Sequence, residues 1–308
     1  MTDAPPLIVI AGATATGKTE LAIRLAETVI AGGRPVAVIS ADSRQVFRGL
    51  DIGTAKVGAA DRARVPHFGL DLVEPDEPFS VADFAAHARG VLADLTRDGG
   101  VALLAGGTGL YLRAVGRGLD TDALPSDPQL RARLEAELTA DGLLASVARL
   151  KDLAPALAAG VDTRNPRRVV RALEIAELRG DGPPPLPRGY PGPVAWLGLT
   201  VEPQAHAARI AARARAQFDA GLVEEARALR DRFDPGLPAF SAIGYREAWA
   251  VLDGELTRDA AIDLDAQRNL AFSKRQRTWF RSEPGIAWLD ATDGLPEAEA
   301  LAAIRSLA

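Results

Sequence analysis

The chain has 308 residues, 47% of them apolar, a formal net charge of −5 and no cysteine. That composition excludes disulfides, thiolate metal sites and a cysteine nucleophile, and no apolar run approaches the roughly 20 residues that a membrane-spanning helix needs. The acidic balance does not mark the whole molecule as a nucleic-acid binder, so any such surface has to be local; without a basic, signal-like leader, the expected location is the cytoplasm.

Leu7 to Ala11 reads as a buried strand, and the loop GATATGKT (12 to 19) follows it. Leu21, Leu25, Ala26, Val29 and Ile30 then recur at helical spacing until Gly32-Gly33 stops the helix. A second apolar run, Val36 to Ile39, ends at SADS, and a third, Val101 to Ala105, ends at GGTGLYL, which opens another helix. Short buried strands alternating with helices predict an α/β fold: a parallel, doubly wound sheet of the P-loop type, flanked by helices. Ligands collect at the carboxyl ends of such strands.

From about Leu119 to Gly180 the strand signal gives way to an Ala/Leu/Arg-rich helical pattern, with Leu130, Leu134, Ala136 and Leu138 in phase. This predicts an all-helical insertion over 119–180. DGPPPLPRGYPGP (181–193) is too rich in proline for either regular element and reads as an extended connection. The core, 1–118, resumes over 194–308 with a strand from Val194 to Val201, helices carrying Ile210, Ala214, Phe218 and Leu222, and a last long helix from about Thr257 to Arg281.

Gly12, Ala13, Thr14, Ala15, Thr16, Gly17, Lys18 and Thr19 fit G-x-x-x-x-G-K-[ST] in the strand-to-helix context that the motif requires. The glycines let backbone N–H groups turn inward, the helix start adds positive potential, Lys18 supplies a point charge and the Thr19 hydroxyl suits Mg²⁺. The loop binds phosphate, but it does not settle the reaction. An ATPase of this class holds Mg²⁺ with a second acidic residue at another strand end. Here VALLAGGTG ends in glycines and threonine, and Asp42, after the second strand, is the acidic residue best placed to face the loop. A small-molecule or nucleotide kinase, with Asp42 on the acceptor hydroxyl, is one reading, and a nucleotide-gated RNA-binding switch is another. Structurally, Asp42 could instead cap a helix or pair with Arg44, and Thr108 could be a helix N-cap. His67, His87 and His206 form no metal-ligand pair, and the four tryptophans and Tyr111 read as packing.

GATATGKT is followed, in order, by SADSRQVFRGLDIGTAK (40–56), VEPDEPFSVADF (73–84), LLAGGTGLYLRAVGRGL (103–119), NPRRVVRALEI (165–175), GLVEEARAL (221–229), AIGYREAW (242–249) and KRQRTWFR (274–281). Over almost its whole length the chain resembles the tRNA dimethylallyltransferases, also called tRNA isopentenylpyrophosphate transferases, of bacterial type. The resemblance implies prenyl transfer from dimethylallyl diphosphate to N6 of the adenosine just 3′ of the anticodon, in tRNAs that read codons beginning with U. The loop would then hold a leaving diphosphate rather than a phosphate under attack.

On that footing Asp42 accepts the proton of the attacking amine. Lys18, Thr19 and the loop amides, with Mg²⁺ bridging, offset charge on the departing diphosphate. Arg213 matches an arginine that contacts diphosphate, and Thr108 matches the turn that meets donor and target nucleoside. Ser43, Arg44 and Gln45 would bond the adenine edge or its neighbours, Gln being a suitable bidentate partner. Arg131 and the stretch Arg167, Arg168, Val169, Val170 and Arg171 match tRNA contacts, and Lys274, Arg277 and Arg281 form a stripe at i, i+3 and i+7 suited to a phosphate backbone. The expected partners are a tRNA anticodon stem-loop and dimethylallyl diphosphate, the expected cofactor Mg²⁺, and the expected state a monomer. Phe47 departs from the family's usual tyrosine, and QRNLAFSKRQ lacks the usual Thr-Arg-Gln before Lys-Arg-Gln.

Overall fold

A computed structural model describes residues 4–121, 123, 125–183 and 185–307. Its sheet has six strands: β1 (Leu7–Gly12), β2 (Val36–Ser40), β3 (His67–Phe68), β4 (Val101–Gly106), β5 (Val194–Thr200) and β6 (Ile286–Asp290). They lie in the order β3-β2-β4-β1-β5-β6, and every pairing is parallel. β1, β2 and β4 are buried at every position because both sheet faces are covered, which is why they read as unbroken apolar runs. β3 is only two residues long and β6 is a half-exposed edge strand, so neither carries such a run and neither is expected from the sequence.

The helices are α1 (Lys18–Ala31), α2 (Ala59–Arg64), α3 (Val81–Arg97), α4 (Gly109–Gly116), α5 (Pro128–Leu153), α6 (Pro155–Ala159), α7 (Pro166–Arg179), α8 (Pro203–Asp219), α9 (Leu222–Arg230), α10 (Tyr245–Leu252), α11 (Arg258–Arg281) and α12 (Glu297–Ser306). Along β1, successive side chains alternate between two cores. Leu7, Val9 and Ala11 join one built on Phe84, Leu112, Phe218, Tyr245 and Phe280, from α3, α4, α8, α10 and α11. Ile8 and Ile10 join a second with Leu21 and Leu25 of α1 and Ile304 of α12. Tyr111 stacks on Phe84 with ring centroids 4.1 Å apart, as a packing residue. Phe47, only 6% exposed, is also a core ring.

The described residues divide into two compact units, 1–118 with 189–308, and 119–188. The division falls inside the proline-rich stretch expected over 181–193: Arg188 pairs with Asp120, whereas the Gly189 N–H donates to the Arg117 carbonyl at 2.9 Å. A Cβ on Gly118 would stand 2.2 Å from the Gly189 carbonyl oxygen, so that approach requires glycine.

The smaller unit packs α5, α6 and α7 around Leu134, Leu150, Leu157, Val169, Val170 and Leu173. α5 is broken at Gly142 (φ 82°), a left-handed conformation that glycine adopts without a Cβ clash.

Candidate active site

The cleft lies beyond the carboxyl ends of β1, β2 and β4, encloses about 520 Å³, and is lined from the loop by Thr14, Ala15, Gly17, Lys18 and Thr19. β1 enters this loop at Gly12 (φ 152°), α1 begins after Gly17 (φ 92°), and Ala15 between them also has positive φ, at 60°. Such backbone costs about 1–2 kcal/mol at a non-glycine residue, and the surroundings hold it. Thr14 is fixed at each of its polar groups. Its N–H donates to Gln276 Oε1 at 2.8 Å, its carbonyl accepts from His206 Nε2 at 2.7 Å, and its hydroxyl accepts from Arg213 at 2.6 Å. The Thr14 amide is therefore taken by Gln276, a departure from a loop whose N–H groups are all left for a ligand. The N–H groups of the first turn of α1 have no intrahelical carbonyl to bond and supply the anion-facing donors.

Lys18 Nζ donates to the Ala13 carbonyl at 2.6 Å. Burial, and then the nearby positive charge of Arg213, lower its pKa to about 7, against the opposing pull of Asp42. Burial likewise lowers Arg213, with Asp42 and Asp265 countering it, and its Nε is buried without a partner. Two basic groups are thus crowded beside one another in the cleft.

The opposite wall comes from the ends of β2 and β4. Thr108 occupies the N-cap position of α4, but its side chain does not cap that helix. Its Oγ1 accepts the Ser43 N–H at 3.0 Å, while its own N–H donates to the Ala41 carbonyl at 3.1 Å. Asp42 is thus bracketed on both sides by Thr108. Asp42 Oδ1 accepts the Arg44 N–H at 2.8 Å, a local turn and not an ion pair. The Arg44 guanidinium reaches the Pro238 carbonyl at 2.9 Å. Ser43, Arg44 and Thr108 all line the cleft beside Asp42.

Gln45 lines the cleft too, but its amide is engaged within the protein. Oε1 accepts from Ser40 at 2.7 Å, and Nε2 donates to the Thr54 and Ala55 carbonyls at 3.0 and 3.3 Å. The adenine-edge contact expected of Gln45 is therefore closed off in this arrangement; the residue shapes the 53–55 turn. That turn is also held by Glu225, which accepts the N–H groups of Ile52 and Gly53 at 2.8 and 3.1 Å, and by Gln217, which donates to both of their carbonyls.

On α11, the cleft is lined by Asn269, Phe272, Arg275 and Gln276. Lys274, expected on the RNA-facing stripe, is exposed and lines none of the described hollows. Arg277 and Arg281 turn away to a separate hollow of about 280 Å³ behind the loop, with His206 and Trp288. Sequence reading missed Asn269, Phe272 and Gln276, although their spacing of i, i+3 and i+7 places them on one helical face.

In the smaller unit the expected tRNA contacts separate. Val169 and Val170 are core residues, at 0% and 3% exposure, so their side chains cannot meet RNA. Arg131 and Arg171 both grip Glu174, at 2.8 and 2.6 Å, and Glu174 is fully buried. Burial alone would raise the Glu174 pKa, but hydrogen bonds from Arg171, Arg131 and the Asp127 N–H outweigh it and hold the carboxyl below its usual range. These two arginines brace the unit's interior. Arg167 is exposed, and the carboxylate that Arg168 reaches among the described residues is Asp162, at 3.8 Å.

The sheet is wholly parallel and doubly wound, and one cleft at its carboxyl end brings a cationic glycine loop and a carboxylate together, the architecture of an α/β enzyme of the P-loop type. Residues 45–283 match the family model described as IPP transferase. The chain is 46% identical to a tRNA dimethylallyltransferase of Anaeromyxobacter dehalogenans over 92% of this chain and 94% of that one. It is 45% identical to one of Thermus thermophilus over 90% of each. It superimposes on a tRNA isopentenylpyrophosphate transferase of Bacillus halodurans with TM-score 0.68 at 37% identity, covering 96% of this chain and 93% of the other. A eukaryotic dimethylallyltransferase acting on tRNA shares the fold with TM-score 0.74 at 24% identity, covering 99% and 78%. The chain belongs to the IPP transferase family, and it is an enzyme of the prenyltransferase type.

Proposed function

We propose that this enzyme transfers the dimethylallyl group of dimethylallyl diphosphate to N6 of the adenosine just 3′ of a tRNA anticodon. The supporting observation is the opposition, across one cleft, of a cationic wall (Lys18, Arg213 and the start of α1) and a carboxylate wall (Asp42, bracketed by Thr108). The first suits a leaving diphosphate and the second a nucleophile that must lose a proton.

In the reaction the donor's C–O bond breaks, its electron pair leaving with the diphosphate, while the adenine N6 forms the new C–N bond. The N6 lone pair is delocalised into the ring, so transfer of its proton to Asp42 makes the attack feasible. Lys18 and Arg213 bind the diphosphate and stabilise the charge it gains. A target in an anticodon loop can be splayed out of its stack at little cost and enclosed.

Thr19 and Asp42 are the residues that would hold Mg²⁺ in this site. Among the described residues no group of three His, Cys, Asp or Glu is arranged as a metal cage, but the exposed Thr19 hydroxyl and the Asp42 carboxylate line the cleft, and Mg²⁺ is commonly held by one or two protein oxygens plus phosphates and water. When bound it would supply Lewis-acid stabilisation of the diphosphate.

For the tRNA, Arg167 and Arg168 are exposed, Arg168 with its carboxylate contact, Asp162, as far as 3.8 Å away, and they suit phosphate contacts. We take the enzyme to act as a monomer in the cytoplasm, which size-exclusion chromatography and cell fractionation test. The deciding experiment mixes unmodified tRNA, Mg²⁺ and labelled dimethylallyl diphosphate with the enzyme. Isopentenylated adenosine in the digested RNA is the expected product, and γ-phosphate transfer from ATP without RNA prenylation would overturn the reading.

A further inference from the structure

Three side chains hold Thr14, but only one of them also reaches the opposite wall. Gln276 accepts the Thr14 N–H through Oε1 at 2.8 Å and donates through Nε2 to the Gly107 carbonyl at 2.9 Å. Its amide therefore spans from the middle of the phosphate loop to the turn that carries Thr108. At 7% exposure it is shielded from competing water. The fit is close: a Cβ on Gly107 would stand 2.3 Å from Nε2, and a Cβ on Gly109 would stand 2.4 Å from the Trp279 ring. Gln276 and Trp279 are three residues apart on α11, and the alternate glycines 107 and 109 form the floor on which that face of the helix rests.

We propose that Gln276 is a positioning residue that sets the separation between the two substrates of the prenyl transfer, a role that rests on the function proposed above. On one side it fixes Thr14 and with it the loop that holds the diphosphate. On the other it fixes Gly107, whose neighbour Thr108 bonds both flanks of Asp42. Displacement at carbon needs donor carbon and attacking nitrogen in line at about 3–3.5 Å, and misplacement by 1 Å costs on the order of 10²-fold. Sliding one wall against the other would therefore slow the transfer step while leaving each wall able to bind its own substrate. Only a neutral amide serves both ends. A carboxylate at this position can still accept the Thr14 N–H but repels the Gly107 carbonyl.

The test compares Gln276→Glu, Gln276→Met and Gly107→Ala with wild type in steady-state and single-turnover prenyl transfer, with thermal unfolding as the control for folding. For Gln276→Glu we expect kcat to fall about 10- to 100-fold, consistent with a displacement somewhat under 1 Å, with KM for dimethylallyl diphosphate within about twofold of wild type. Gln276→Met, which loses both bonds, should lower kcat similarly and also raise that KM. Gly107→Ala, which pushes the amide away from the other side, should mimic Gln276→Glu, and the two changes together should cost little more than either alone.

A Gln276→Glu enzyme with wild-type kcat would overturn the proposal. So would a loss confined to KM, or losses from Gln276→Glu and Gly107→Ala that multiply independently. If wild-type enzyme prenylates tRNA and the variants match it, the spacing role fails alone; if wild type forms no prenylated adenosine, the proposal falls with the function on which it rests.

Discussion

The phosphate-loop cleft and helix α7 of the smaller unit both present basic residues expected to meet a ligand, yet the structure treats their cations in opposite ways. Lys18 and Arg213 are sunk at the floor of a cleft, and among the described residues no carboxylate is bonded to either, so their charge is directed at whatever enters. Arg171 and Arg131 sit close to a fully buried carboxylate, Glu174, and their charge is spent inside the unit. Spacing predicts which residues share a helical face, but only the position of the opposing carboxylate determines whether a cation is available to a ligand.

The sharpest test of the cleft side is Asp42→Asn, which keeps the shape and removes the proton acceptor. Its kcat should fall about 10²- to 10⁴-fold with donor KM little changed, as steady-state assays will show; wild-type turnover would remove Asp42 from the chemistry. On the other side, Glu174→Ala leaves two half-exposed guanidiniums without their acceptor and should destabilise the smaller unit by about 1–3 kcal/mol, measured by urea unfolding. Because the folded pKa of Glu174 lies below its ordinary value, its contribution is present above about pH 4.5 and is lost as pH falls through the folded pKa. Acid titration of wild type should therefore show a stability loss below that pH that Glu174→Ala lacks.

Lys18 gives a pH test of the cleft. With its pKa near 7, it is charged below that pH and increasingly neutral above it, and a bound diphosphate restores the charge. Binding therefore takes up a proton above pH 7, and the affinity for inorganic diphosphate should fall by about an order of magnitude between pH 7.5 and 9, as calorimetry in buffers of different ionisation enthalpy will report. A flat profile would mean that Lys18 keeps its proton without the anion. The smallest effect belongs to Arg167→Ala with Arg168→Ala: stability unchanged, tRNA affinity lowered roughly tenfold and the salt slope shallower by about 2. Arg171→Ala should do the reverse, weakening the fold more than the RNA complex.

Much of the core was legible because its strands are covered on both faces and so carry unbroken apolar runs; β3 and β6, short or half-exposed, carry none. Lys18, Thr19, Asp42 and Thr108 could be named from motifs and Arg213 from the family resemblance, and the structure brings all five to one cleft. Gln276 and His206 could not be, because what they hold is the backbone of Thr14, 262 and 192 residues away, and a backbone partner leaves no mark in the pattern of side chains. Glu174 was equally hidden. In RALEIAELR it looks like an ordinary helical acid, and only the packing of α5 against α7 shows that it faces inward. The same packing buries Val169 and Val170 and so divides the RRVVR stretch between interior and surface.

The way Thr14 is braced has a consequence for biosynthesis. The loop leaves the ribosome 262 residues ahead of Gln276. At translation speeds of about 5–20 residues per second, roughly 10–50 s separate the two. Throughout that interval the nascent chain carries a phosphate loop without its Gln276 brace, so competence for substrate arises only once the helix that supplies it has been made.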